Sequence, residues 1–156
     1  MRILDTRVAP AWVDYNGHMN DAEYARVFSL ALEALMGRIG LDKAGRAEHA
    51  YTIYTLETHL CYRREAHEGQ VLAVEVMLLD KDAKRLHVFM EMQDADGQCL
   101  ATSEQMLMGM GMGSDSGRPA PFPAPVAKQI ERLPHTAQDA WPKLAGRRIG
   151  LPPAHR

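Results

Sequence analysis

The chain has 156 residues, 46% of them apolar and 24% charged, with a net charge of -2. That length suits one domain, large enough to bury roughly two-thirds of its unfolded surface. The charge balance lacks the basic excess of a nucleic-acid binder, and no apolar run approaches the roughly 20 residues of a membrane helix. Two cysteines, Cys61 and Cys99, are too few for a disulfide framework. The first ten residues carry Arg2, Asp5 and Arg7 and have no signal-peptide core, so the expected location is cytoplasmic.

Residues 3–14 read as a first strand, irregular at Pro10. A dense run of turn and cap residues follows, Asp14-Tyr15-Asn16-Gly17-His18-Met19-Asn20-Asp21, in which Asn20 or Asp21 can cap a helix. From Ala22 apolar side chains recur every three or four positions at Tyr24, Phe28, Ala31, Leu35 and Ile39. Val27, Leu30, Leu32 and Met36 widen that stripe. It predicts a long helix buried on most sides, ended by Gly37 and Gly40.

A polar link at 41–49 leads into period-two patterning over 50–63, 70–80, 85–94 and 98–112. The turns between these four strands are short, so their neighbours are antiparallel. One strand, one apolar helix and four long strands make an α+β plan in which the sheet wraps the helix. Gly113 to Pro123 has the composition of a linker, and a short helix is expected over 124–133. Trp141, Leu144 and Ile149 punctuate a Pro-rich tail. The reading is a domain over 1–113 and a segment over 114–156 that docks on it or on its partner.

Asp14 falls between a strand and a helix start, where its carboxylate can face the free N–H groups of the first helical turn. Such N–H groups bind anions, including a developing oxyanion. A carboxylate beside an oxyanion site is the minimal equipment for hydrolysing an activated acyl group. The same carboxylate can also simply hydrogen-bond its own turn. Asn16, His18 and Asn20 can order water or hold the turn.

No metal site is expected, because none of the seven histidines forms a ligand pair on a helix. His59 and Cys61 share a strand face without further partners. Gly109, Gly111 and Gly113 lack the strand-to-helix turn of a nucleotide loop. Met106, Met108, Met110 and Met112 line one strand face, as core packing or as a pliable acyl lining.

The run from Val13 to Tyr24 resembles the signature of hotdog-fold acyl-CoA thioesterases of the 4-hydroxybenzoyl-CoA type, with Asp14, Gly17 and Tyr24 at the matching positions. The inferred strand order is also the hotdog order. The resemblance spans about residues 5–112. It implies that Asp14 is the catalytic carboxylate, attacking directly or activating water, and that a backbone N–H near Asp21 polarises the carbonyl. It further implies a homodimer or homotetramer with sites at the subunit interface, and no cofactor beyond the coenzyme A of the substrate.

A narrower resemblance rests on Glu57-Thr58-His59, on Asp82 to His87 and on Ala101 to Leu107. These are similar to the betainyl-CoA thioesterases of carnitine breakdown. A trimethylammonium acyl group calls for aromatic faces and a nearby carboxylate. Trp12, Tyr15, Tyr24, Tyr54 and Glu57 are the available pieces, and the aromatic ones serve equally as ordinary core. Arg63, Lys84 and Arg85 are candidates for the phosphates of coenzyme A. The alternatives are a thioesterase for an aromatic or medium-chain acyl-CoA, and a non-catalytic acyl-CoA-binding protein of the same fold.

Overall fold

The period-two segments form β2 (Tyr51–Tyr62), β3 (Val71–Lys81), β4 (Arg85–Gln93) and β5 (Cys99–Gly111) in a computed structural model that describes residues 1–113 and 117–154. With β1 (Arg2–Arg7) they make an antiparallel sheet in the order β1-β3-β4-β5-β2. The helix α1 (Asp21–Arg38) lies against one face of this sheet. Val27, Phe28, Ala31 and Leu35 of α1 are buried together with Val74, Val76, Val88, Met90 and Leu107 of the strands. This is the sheet-around-helix arrangement of the α+β hotdog fold.

The sequence pattern and the structure part company at three places. The first strand stops at Arg7, and Pro10–Trp12 is a 3-10 turn, because proline has no N–H to give a sheet ladder. The link at 41–49 contains a helix, α2 (Lys43–His49), whose N-terminus is capped by Asp42 Oδ1 accepting from Gly45 N at 2.8 Å. Within the linker, Arg118–Pro119 form a short strand, β6, on β5; Ser114, Asp115 and Ser116 lie outside the described residues. β6 continues the line of β4 past its turn: Gly109 N donates to Lys84 O, and Ala120 N to Gly109 O.

Beyond β6, α3 (Ala124–Glu131) buries Val126 and Ile130 in the same core as α1. The chain then crosses the face of the sheet turned away from α1. His135 bridges to Leu78 on β3, Trp141 stands edge-on to His87 of β4, and Gly146 N donates to Glu104 Oε2 of β5 at 2.7 Å. Arg147 reaches Cys61 on β2.

The outer edge of β2 has no strand beside it among the described residues. A β-bulge at Leu56 divides this strand. Before it, Tyr51, Ile53 and Thr55 face α1; after it, Thr58 and Leu60 do, while Glu57, His59 and Cys61 face outward. Tyr54, Leu56 and Tyr62 leave large apolar groups exposed along the same strand.

Candidate active site

The loop from Asp14 to Asn20 folds back on itself between Val13 and Met19. Asp14 N donates to His18 O at 2.9 Å, and Gly17 N donates to Asp14 O at 3.0 Å. Gly17 has φ +74°, the left-handed region that glycine enters without a Cβ penalty, so the turn closes at that residue. The Asp14 carboxylate completes the loop: its Oδ1 accepts from Asn16 N at 2.8 Å and from His18 N at 3.1 Å. Its Oδ2 has no protein partner among the described residues. One oxygen therefore fixes the loop and the other is available.

The same loop delivers the chain into α1. Asn20 occupies the N-cap position, but its side chain makes no cap bond; Asp21 Oδ1 accepts from Ala22 N at 2.9 Å instead. Glu23 N is taken by Asn20 O, and Asn20 N by Trp12 O. The Asp21 N–H is left without a partner among the described residues, at the positive end of an 18-residue helix.

Tyr24 locks this region to the segment after β2. Its hydroxyl donates to Arg64 O at 3.3 Å and accepts from Ala66 N at 3.0 Å, and its ring stands edge-on to Tyr62. Met19 N donates to Ala66 O, and His18 Nδ1 lies 3.3 Å from Glu65 Oε2 with its ring edge-on to His67. Tyr24 is buried and holds the loop in place, a role its position opening α1 does not announce. Burial raises its pKa above the ordinary tyrosine value. Glu65 and His67 were invisible to sequence reasoning, because only the fold brings them beside His18.

The remaining candidates are dispersed. Trp12 is half-buried against the core, and Tyr15 is fully exposed. Tyr54 and Glu57 lie on the outward face of β2, opposite Met108 and Met106. The methionine row therefore faces away from α1, so it is not packing in the helix-side core. Arg63 is exposed where β2 ends, donating its N–H to Leu100 O. Arg85 pairs with Met108 on β5, eight residues from Leu100, roughly 26 Å along the strand. Arg85 is also engaged with Asp82, whose Oδ2 accepts from Arg85 Nε at 2.7 Å. That contact, helped by the Lys84 and Arg85 N–H groups, lowers the Asp82 carboxyl to about 2. One protomer thus does not bring Arg63 together with Lys84 and Arg85.

Two concavities flank β2. The outward one, about 320 Å³, is lined by Glu57, His59, His87, Glu104 and the tail residues Gly146 and Arg147. Its floor is the His87–Glu104 pair, at 2.7 Å and largely shielded from solvent. The other, about 450 Å³, is a groove between α1 and β2, lined by Ala25, Phe28, Leu32, Thr55, Thr58 and Gln105 among others. It begins one helical turn from Asp21. Gln105 Nε2 donates to Ser103 Oγ at 2.9 Å, whereas Gln105 Oε1 is buried with no partner among the described residues. An unpartnered buried amide oxygen costs about 1–3 kcal/mol. Among the described residues no group of three or more His, Cys, Asp or Glu side chains has metal-binding geometry, and no helix is long and apolar enough to cross a membrane.

Residues 8–130 match the thioesterase-like superfamily, and the chain belongs to that family. It is 45% identical to a betainyl-CoA thioesterase of Pseudomonas aeruginosa over 152 residues, 96% of this chain and 94% of that protein. It is 43% identical to an L-carnitine dehydrogenase/betainyl-CoA thioesterase of Rhizobium meliloti over 109 residues, 69% of this chain and 22% of that longer protein. A Staphylococcus aureus protein solved in complex with CoA superposes with a TM-score of 0.86 at 31% identity, covering 97% of this chain and 96% of that one.

Proposed function

We propose that the protein hydrolyses an acyl-CoA thioester, with betainyl-CoA as its substrate, giving betaine and free coenzyme A. The observation that carries this reading is the Asp14 carboxylate, with one oxygen tied into the loop and the other without a partner among the described residues, on the loop that leads into α1 at the Asp21 N–H. The acyl group follows from the 45% identity to the Pseudomonas aeruginosa betainyl-CoA thioesterase, which runs nearly the full length of both chains.

In this reading the thioester carbonyl oxygen sits at the N-terminus of α1. The Asp21 N–H and the helix dipole stabilise the negative charge that develops there. Asp14 Oδ2 takes a proton from water, which adds to the carbonyl carbon, or itself attacks that carbon. Collapse of the tetrahedral adduct expels the thiolate, a good leaving group that needs no strong acid; where Asp14 has attacked, water then hydrolyses the acyl–Asp14 anhydride, releasing the acid and restoring the carboxylate. Asn16, Gly17, His18 and Asn20 keep the loop in register, and no cofactor takes part.

Arg63 is the basic residue best placed for a coenzyme A phosphate, because it follows β2 next to the segment that Tyr24 ties to the loop. Lys84 and Arg85 would serve a site formed with a second copy of the chain. The free edge of β2, with Tyr54, Leu56 and Tyr62 exposed along it, is the surface on which that copy pairs. Thiol release from betainyl-CoA, 4-hydroxybenzoyl-CoA and neutral short and medium acyl-CoAs tests the reading. A betainyl preference supports it. Binding of CoA esters without any turnover would move the protein to the non-catalytic alternative.

A further inference from the structure

The segment after α3 straps the outward face of the sheet strand by strand. His135 bridges to Leu78 on β3, Trp141 stands against His87 on β4, and Gly146 N donates to Glu104 on β5. Arg147 Nη1 then lies 4.0 Å from Cys61 Sγ on β2. Each anchor is one strand nearer the edge of β2 that has no strand beside it among the described residues. Past Arg147 the covering stops, and Ile149 and Leu151 are 88% and 96% exposed. Pro152 keeps Leu151 out of the helical region, and in an extended run Arg147, Ile149 and Leu151 point to one side. A second uncovered apolar surface lies on the other half of β2. Tyr54 faces outward opposite Met108 and is 45% exposed, so the strap of its own chain leaves it open.

We propose that the strap runs past its own β2 and ends on a second copy of the chain, with Ile149 and Leu151 packed on the partner's Tyr54. This rests on the pairing of two copies through the β2 edge. A two-fold axis normal to the sheet runs the paired β2 strands antiparallel and keeps both outward faces on one side. The Cys61 half of one strand, where the strap arrives, then lies beside the Tyr54 half of the other. Neighbouring strands are about 4.8 Å apart and two extended residues span about 7 Å, so the step from Arg147 to Ile149 crosses the seam. The same contact forms twice, and both uncovered surfaces of each copy are buried by one operation.

The test is sedimentation equilibrium of the full chain beside the double variant Ile149→Asp, Leu151→Asp. Both side chains are exposed in a single chain, so each protomer of the variant should fold as before. The dimer dissociation constant should rise by about 100-fold, as expected for losing apolar burial in two copies. An unchanged constant would overturn the crossing and leave the edge pairing in place. An unaltered protein that is monomeric at micromolar concentration would defeat the edge pairing as well. A second measurement uses the unaltered sequence, in dimers mixed from isotope-labelled and unlabelled chains. Filtered NMR spectra should show contacts from the Ile149 and Leu151 methyls of one chain to the Tyr54 ring of the other. Contacts within one chain only, or none to Tyr54, would overturn the proposal.

Discussion

The hydroxyl of Tyr51 passes directly over Gly109 to donate to the carbonyl of Ala120 at 2.6 Å. A Cβ at position 109 would lie 1.7 Å from that hydroxyl oxygen, so the glycine is a matter of space. This contact joins β2, β5 and the segment leading to α3. Replacing Gly109 with alanine should destabilise the fold by about 2–3 kcal/mol, as overpacking does. Tyr51→Phe should cost about 1 kcal/mol, the worth of one hydrogen bond. Urea denaturation of both variants checks the order.

Burial pushes the Tyr51 pKa up to about 12. An unfolded chain loses this proton near pH 10, so the folded form binds more protons between those values. Stability should therefore decline as pH rises from about 10 to about 12. Tyr51→Phe should flatten that decline in thermal melts. An equally steep decline in the variant would assign the effect to other groups.

Glu104 is the anchor of the tail, accepting from Gly146 N while holding His87, against which Trp141 packs. Glu104→Ala should release residues 134–150 from the sheet without unfolding it. Trp141 fluorescence should shift to the red and limited proteolysis should cut first in the tail. Unchanged fluorescence and cleavage would show that the His135 bridge to Leu78 suffices.

The Asp82 carboxyl is held at about 2, chiefly by its hydrogen bond from Arg85. Stabilisation from this lowered value is present above pH 4 and lost as pH falls through about 2. The turn is exposed, so the effect on overall stability should be small. An NMR titration of Asp82 should move toward about 4 in Arg85→Ala.

Much of this was legible in the chain. Period-two alternation marks β2 to β5 within a residue or two, and the stripe from Tyr24 to Leu35 marks α1, because each element buries one face. The Asp14–Gly17 turn was legible too, since short polar side chains and a glycine admit few other conformations. The helix α2 was not, because seven residues without an apolar stripe depend on the Asp42 cap and on the close approach of Gly45 to Gly40. Glu57 shows the limit most clearly. Strict alternation from Ile53 would put it on the face toward α1, but the bulge at Leu56 adds one residue and inverts the face. Alternation from Leu107 puts Gln105 on that face, yet nothing in the sequence tells that its oxygen is left without a donor.

The most direct measurement is thiol release from betainyl-CoA by Asp14→Asn beside the unaltered protein. Asparagine keeps an oxygen for the Asn16 and His18 N–H groups, so the loop and the melting temperature should be preserved. The account predicts a loss of activity of about 100-fold or more, the contribution of a positioned base or nucleophile. Turnover within a few-fold of the unaltered protein, in a variant that melts normally, would contradict the role given to Asp14.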